Sequence, residues 1–340
     1  MVKNMGRSIQ VLALVFCIGA LNARAGDAGG SVVAIGVAGS PRGAVFHSTV
    51  ETMGKVRQSL KRTSSTGTSP LNMSYNGGYN GVGVETAPKI YLILWGNQWN
   101  NNDPSGEAPL LQSFFSTIGA SPWLNSVTQY CQGVAKGTTA CNGLGTAAGN
   151  QAVMFTSANV WIDNAAAAPT SPTQNQIATE ALNAAAHFGN TTATGNASVL
   201  YVVATAKGKS MSGFGSQWCA WHSAAIGTIT VNSNPVSFPF AYTYFPYMTD
   251  AGANCGAGFN GLGSKAGITM VAGHEIAETI TDQWANYGWY DANGAENGDK
   301  CAWIKTGSTG ASQNLTFPNS LTYPVQSLWS NVSGSCALTY

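Results

Sequence analysis

The chain has 340 residues, enough for one large domain or two small ones, and a net charge of only +1. Charged residues make up 9% of it and none form a basic block, which argues against nucleic acid and anionic membrane surfaces as partners. With 44% hydrophobic residues, the abundance of Gly, Asn, Ser and Thr marks a loop-rich, exported kind of protein rather than a disordered one.

At the N-terminus, Lys3 and Arg7 precede the apolar run Val11 to Leu21 and a small-x-small site at Ala23-Arg24-Ala25. This is the pattern of a signal peptide over residues 1–25, with a run too short to span a bilayer comfortably. The expected destination is secreted or extracellular, with periplasm or cell wall as variants, and no membrane contact after the signal is removed. Residues 26–70 are rich in Gly, Ser and Thr and read as a flexible, propeptide-like leader. A single globular domain is expected over 71–340.

Within that domain Lys89 to Trp95, KIYLILW, is a short apolar run bounded by Pro88 and Gly96 and reads as a buried strand. Leu110 to Ile118 and the following PWLNSVTQYC read as amphipathic helices, and VMFTSANVWID as a strand. Pro172 to Phe188 is the clearest ordinary helix, capped by Ser171 or Thr173. Ser198 to Ala204 is a second buried strand, Trp218 to Val231 is strand-rich, and the C-terminal YPVQSLWSNVSGSCALTY reads as strand. Alternating strands and helices without an internal repeat imply a mixed α/β domain.

Six cysteines follow the signal segment, Cys131, Cys141, Cys219, Cys255, Cys301 and Cys336, with no Cys-x-x-Cys pair among them. An even set in an oxidising compartment implies three disulfides. Cys131–Cys141 is the expected pair because a short Gly-rich loop joins them, and the other pairings stay open.

Chemistry concentrates between Ile268 and Trp303, where a helical segment is followed by an acidic loop. Residues four apart on a helix share a face, so His274, Glu278 and Asp282 form a polar stripe. In His-Glu-x-x-His metallopeptidases two histidines bind zinc and the intervening Glu is the general base for the attacking water. Here Glu278 holds the second ligand position, which a carboxylate can fill. Glu275 is then the catalytic base. Glu296 or Asp299, in a loop held by Cys301, supplies a third ligand, and His222 is an alternative. Asp282 is expected one layer behind the ligands or at the helix end. Zn2+ is the expected cofactor, with Ca2+ as the alternative for a carboxylate-rich cluster. No Gly-x-Ser-x-Gly elbow is present, so a serine hydrolase lacks its local signature.

Taken together, KIYLILWGNQW, LYVVATAKG, the Cys-x-x-His of Cys219 and His222, GHEIAETITD, ENGDKC and VQSLWSN resemble the phosphate-induced, or exordium-like, family. The landmarks span roughly residues 70 to 335. The family pattern His-Glu-x-x-Glu, then Thr and Asn or Asp, matches His274, Glu275, Glu278, Thr281 and Asp282. Its Glu-x-x-Asp-x-Cys matches Glu296, Asp299 and Cys301. Gln283 departs from the Pro of many relatives. The resemblance implies secretion, a cell-wall or apoplastic setting, and a zincin-like domain with a mixed sheet, an active-site helix and disulfide-fixed loops. The expected activity is zinc-dependent hydrolysis of an extracellular peptide or protein. The alternative is a non-catalytic wall or matrix protein with the same fold.

Overall fold

A computed structural model describes residues 72–340. The expected signal peptide (1–25) and the expected leader (26–70) lie outside the described residues. The fold is mixed α/β, built on one five-stranded sheet: β1 (Lys89–Trp95), β2 (Val160–Asp163), β3 (Val199–Thr205), β4 (Trp221–Val231) and β5 (Asn234–Phe245), in the spatial order β2-β1-β3-β5-β4. Strands β2, β1, β3 and β5 run parallel, and β4 pairs antiparallel with β5 at the edge.

Parallel strands covered on both faces read as continuous apolar runs, which is why KIYLILW and VLYVVAT carry almost no polar residue. Their side chains still alternate. Ile90, Leu92, Leu94, Leu200 and Val202 join one core, while Tyr91, Ile93, Trp95, Tyr201 and Val203 join the other. Helix α1 (Glu107–Ile118) and helix α3 (Ala266–Thr281) pack in the first core; α2 (Gln174–His187) packs in the second.

The β4–β5 hairpin turns through Asn232 and Ser233, both at positive φ (48° and 64°), the backbone that a two-residue hairpin loop requires. This turn fixes a register in which Trp221 faces the α2 core and His222, one residue on, faces α3. A one-residue slip would exchange them.

Several segments differ from their sequence reading. Leu124–Gln129 is a 3-10 helix, not an α-helix, and only Val160–Asp163 of VMFTSANVWID is strand, because Thr156 and Asn159 form a capping box around a 3-10 turn. The hairpin extends strand through Phe238 to Phe245. The C-terminal segment is three short strands, Thr322–Val325, Leu328–Ser330 and Ser335–Ala337, rather than one. Three disulfides form: the expected Cys131–Cys141, and Cys219–Cys255 and Cys301–Cys336, whose pairing the sequence left open. Such bonds persist in an oxidising environment. Among the described residues no helix is long and apolar enough to cross a membrane.

Candidate metal centre

All sixteen residues of α3 are buried, and no side chain caps its N-terminus. Tertiary packing therefore holds this helix, not its own ends. Gly267 lets the first turn lie against the Cys255 carbonyl, where a Cβ would stand 1.7 Å from that oxygen. The Cys219–Cys255 disulfide ties the same segment to the start of β4. One covalent link thus sets the edge strand and the helix against each other.

From α3, His274 Nε2 lies 3.1 Å from Glu278 Oε1 and 3.8 Å from Asp299 Oδ1. The other ring nitrogen, Nδ1, is 3.2 Å from Gln326 Oε1. Gln326 is oriented by donating its amide to the Gly298 carbonyl at 2.8 Å, so its oxygen accepts from His274 Nδ1–H and turns Nε2 toward the carboxylates. Gly298 leaves the room: a Cβ there would sit 2.8 Å from His274 Nδ1 and 2.9 Å from Glu278 Oε1. The acidic loop folds back over the helix. Asp299 N donates to Glu278 Oε1, and Asn297 Nδ2 donates to the Ala277 carbonyl and to Thr281 Oγ1.

The opposite edge of Glu278 faces His222. Its Nδ1 is 3.4 Å from Glu275 Oε2 and 3.8 Å from Glu278 Oε2, while its Nε2 is 3.5 Å from Glu296 Oε1. Two groups of donor atoms result, His274–Glu278–Asp299 and His222–Glu275–Glu278, and either could hold a metal ion. Glu278 belongs to both. Burial alone would lower the histidine pKa values. The facing carboxylates outweigh it: Glu296, Glu275 and Glu278 push His222 to about 9, and Glu278, Glu275 and Asp299 push His274 to about 9.

Of the residues expected from sequence, Asp299 joins His274 and Glu278. Glu296 does not; it stands against His222, which reaches the centre from β4. Asp282 ends the helix and accepts the backbone N–H groups of Asn286, Tyr287 and Gly288, so it shapes the turn after α3. Asp291 forms a buried 2.6 Å ion pair with Lys300, whose ammonium also lies over the Trp329 ring. Sequence reasoning missed Gln326, Gly298 and Glu85. Glu85 is wholly buried, accepts from Gln283 Nε2 at 3.1 Å and is raised well above the usual carboxylate range by that burial. No spacing signal links these three to the helix, because they arrive from separate segments.

Comparison with known families, curated proteins and solved structures returns no match for this chain. The geometry of the centre therefore stands by itself.

Proposed function

We propose that the protein is an exported, zinc-dependent hydrolase of the exordium-like family with a zincin-like arrangement, acting on amide bonds of extracellular peptides or proteins. One observation carries this reading. A buried imidazole, locked through Nδ1 by Gln326, turns Nε2 toward Glu278 Oε1 and Asp299 Oδ1 in a space that Gly298 keeps clear. The fit to a metal is good: one nitrogen and two carboxylate oxygens form a zinc-type donor set. Calcium, which prefers oxygen ligands alone, is less suited to a centre with two imidazoles. The three disulfides support an oxidising, extracellular location.

Held by His274, Glu278 and Asp299, zinc would act as a Lewis acid toward a scissile carbonyl and favour ionisation of a water. Glu275, adjacent to His274 on the helix and 1% exposed, accepts the proton of the attacking water and returns it to the leaving amine. Gln326 keeps His274 in the tautomer that presents Nε2. Asp299 N–H, donating to Glu278 Oε1, holds that carboxylate in place.

Protein purified without added metal should contain zinc; absence of any bound transition metal overturns the reading. Glu275→Gln should keep the metal and abolish cleavage of a proteome-derived peptide library. The depth of the centre, with Glu278 at 0% and His274 at 5% exposure, favours a second reading, a wall or matrix protein with a structural metal. Bound zinc with no cleavage by the wild-type chain would establish that alternative.

A further inference from the structure

We propose that the centre holds two divalent transition-metal ions bridged by Glu278, the second seated between His222 Nδ1, Glu275 Oε2 and Glu278 Oε2. This deepens the metal reading given above and rests on it.

The second group is built like the first. His274 directs one ring nitrogen to carboxylates and backs the other against an acceptor, Gln326; His222 does the same, with Nδ1 toward Glu275 and Glu278 and Nε2 against Glu296. An imidazole whose far N–H is held by a carboxylate or carbonyl is the usual second-layer support of a metal-bound histidine. Glu296, left out of the first group, gains a role as that support. Glu275 is 1% exposed, and among the described residues its Oε2 faces His222 Nδ1 and has no other donor. Glu278 turns Oε1 to one histidine and Oε2 to the other, as a bridging carboxylate must.

With two ions, Glu275 binds through Oε2 and keeps its other oxygen for proton transfer.

The test is a titration of the metal-stripped intact chain with Co2+, followed by absorption and by electron paramagnetic resonance. Binding should end at two equivalents, and the signal per cobalt should fall as the second fills, because a shared carboxylate couples the spins. His222→Gln should bind one equivalent with an uncoupled signal, its fold checked by near-ultraviolet circular dichroism. An end point at one equivalent in the wild type overturns this proposal and leaves the single-zinc reading standing. Two equivalents without coupling overturn the bridge. No binding at all overturns both readings. The wild-type titration decides the matter even if His222→Gln fails to fold.

Discussion

Helices α2 and α3 cover opposite faces of one sheet and are held by opposite means. Helix α2 is amphipathic: Ile177, Ala181, Leu182, Ala184 and Ala185 are buried, while Asn175, Asn183 and Ala186 face solvent. Its start is closed by a capping box in which Thr173 and Gln176 satisfy each other's backbone N–H. Helix α3 has neither a solvent face nor a side-chain cap, and its polar residues point into protein. A helix of the first kind needs only a surface to lie on. One of the second kind needs the surrounding chain closed around it, which the Cys219–Cys255 and Cys301–Cys336 disulfides help to do. In return it can place charged groups where water does not screen them.

The largest effect expected from this contrast is at Gly267. An added Cβ meets the Cys255 carbonyl, which is fixed backbone, so Gly267→Ala should cost at least about 3 kcal/mol in urea unfolding. Ala186→Ser on the exposed side of α2 should change stability by no more than about 0.5 kcal/mol. Equal costs at the two sites would remove the distinction.

Acid–base behaviour sharpens it further. Burial raises the Glu107 pKa, at the start of α1, to about 7, where Met248 N–H and Thr249 N–H hold the carboxylate. The native state keeps a proton that the unfolded chain releases near 4.5. Stability from this group is therefore complete below that pH and is lost as pH rises toward 7, on the order of 3 kcal/mol. Glu180 on α2 follows the same sign, raised well above its usual range by burial and by the Asp163 charge to which it hydrogen-bonds. In metal-free protein the raised His222 and His274 also lose stability as pH rises, from 6.5 through about 9. Chemical denaturation at pH 5 and pH 8 should thus show a less stable protein at pH 8. Glu180→Gln keeps a donor for Asp163 without the ionisation, so the variant should gain on the wild type as pH rises. A flat difference between the two would show that Glu180 is ionised in the fold.

The same contrast explains what could be read in the sequence. KIYLILW and the helix ending at Phe188 were legible because burial on two faces, or on one, leaves a simple hydrophobic pattern. So was the His274–Glu278 pair, because helical spacing alone brings it together. The remainder of the centre depends on long-range placement. His222 faces α3 only because the Asn232–Ser233 turn sets the register of β4. Gln326 arrives 52 residues after His274, and although VQSLWSN is a landmark of the resemblance, no spacing rule ties its glutamine to the helix. The 3-10 turns at Leu124 and Ser157 are not legible for a related reason, since short apolar runs carry too few residues to separate one period from another.

The smallest expected effect lies at the two helix starts. Thr173 Oγ1 accepts from Gln176 N at 3.3 Å, and Gln176 Oε1 accepts from Thr173 N at 2.9 Å. Removing the hydroxyl exposes one amide of the first turn to water without burying it, so Thr173→Ala should cost about 1 kcal/mol. At α3 the residue in the equivalent place is Lys265, which makes no side-chain cap. Lys265→Ala should therefore shift the urea midpoint much less than Thr173→Ala, although the helix it precedes is the more deeply buried. If the two substitutions cost the same, the first turn of α3 draws on an end contact after all, and packing around Gly267 is not what holds the helix of the candidate centre in place.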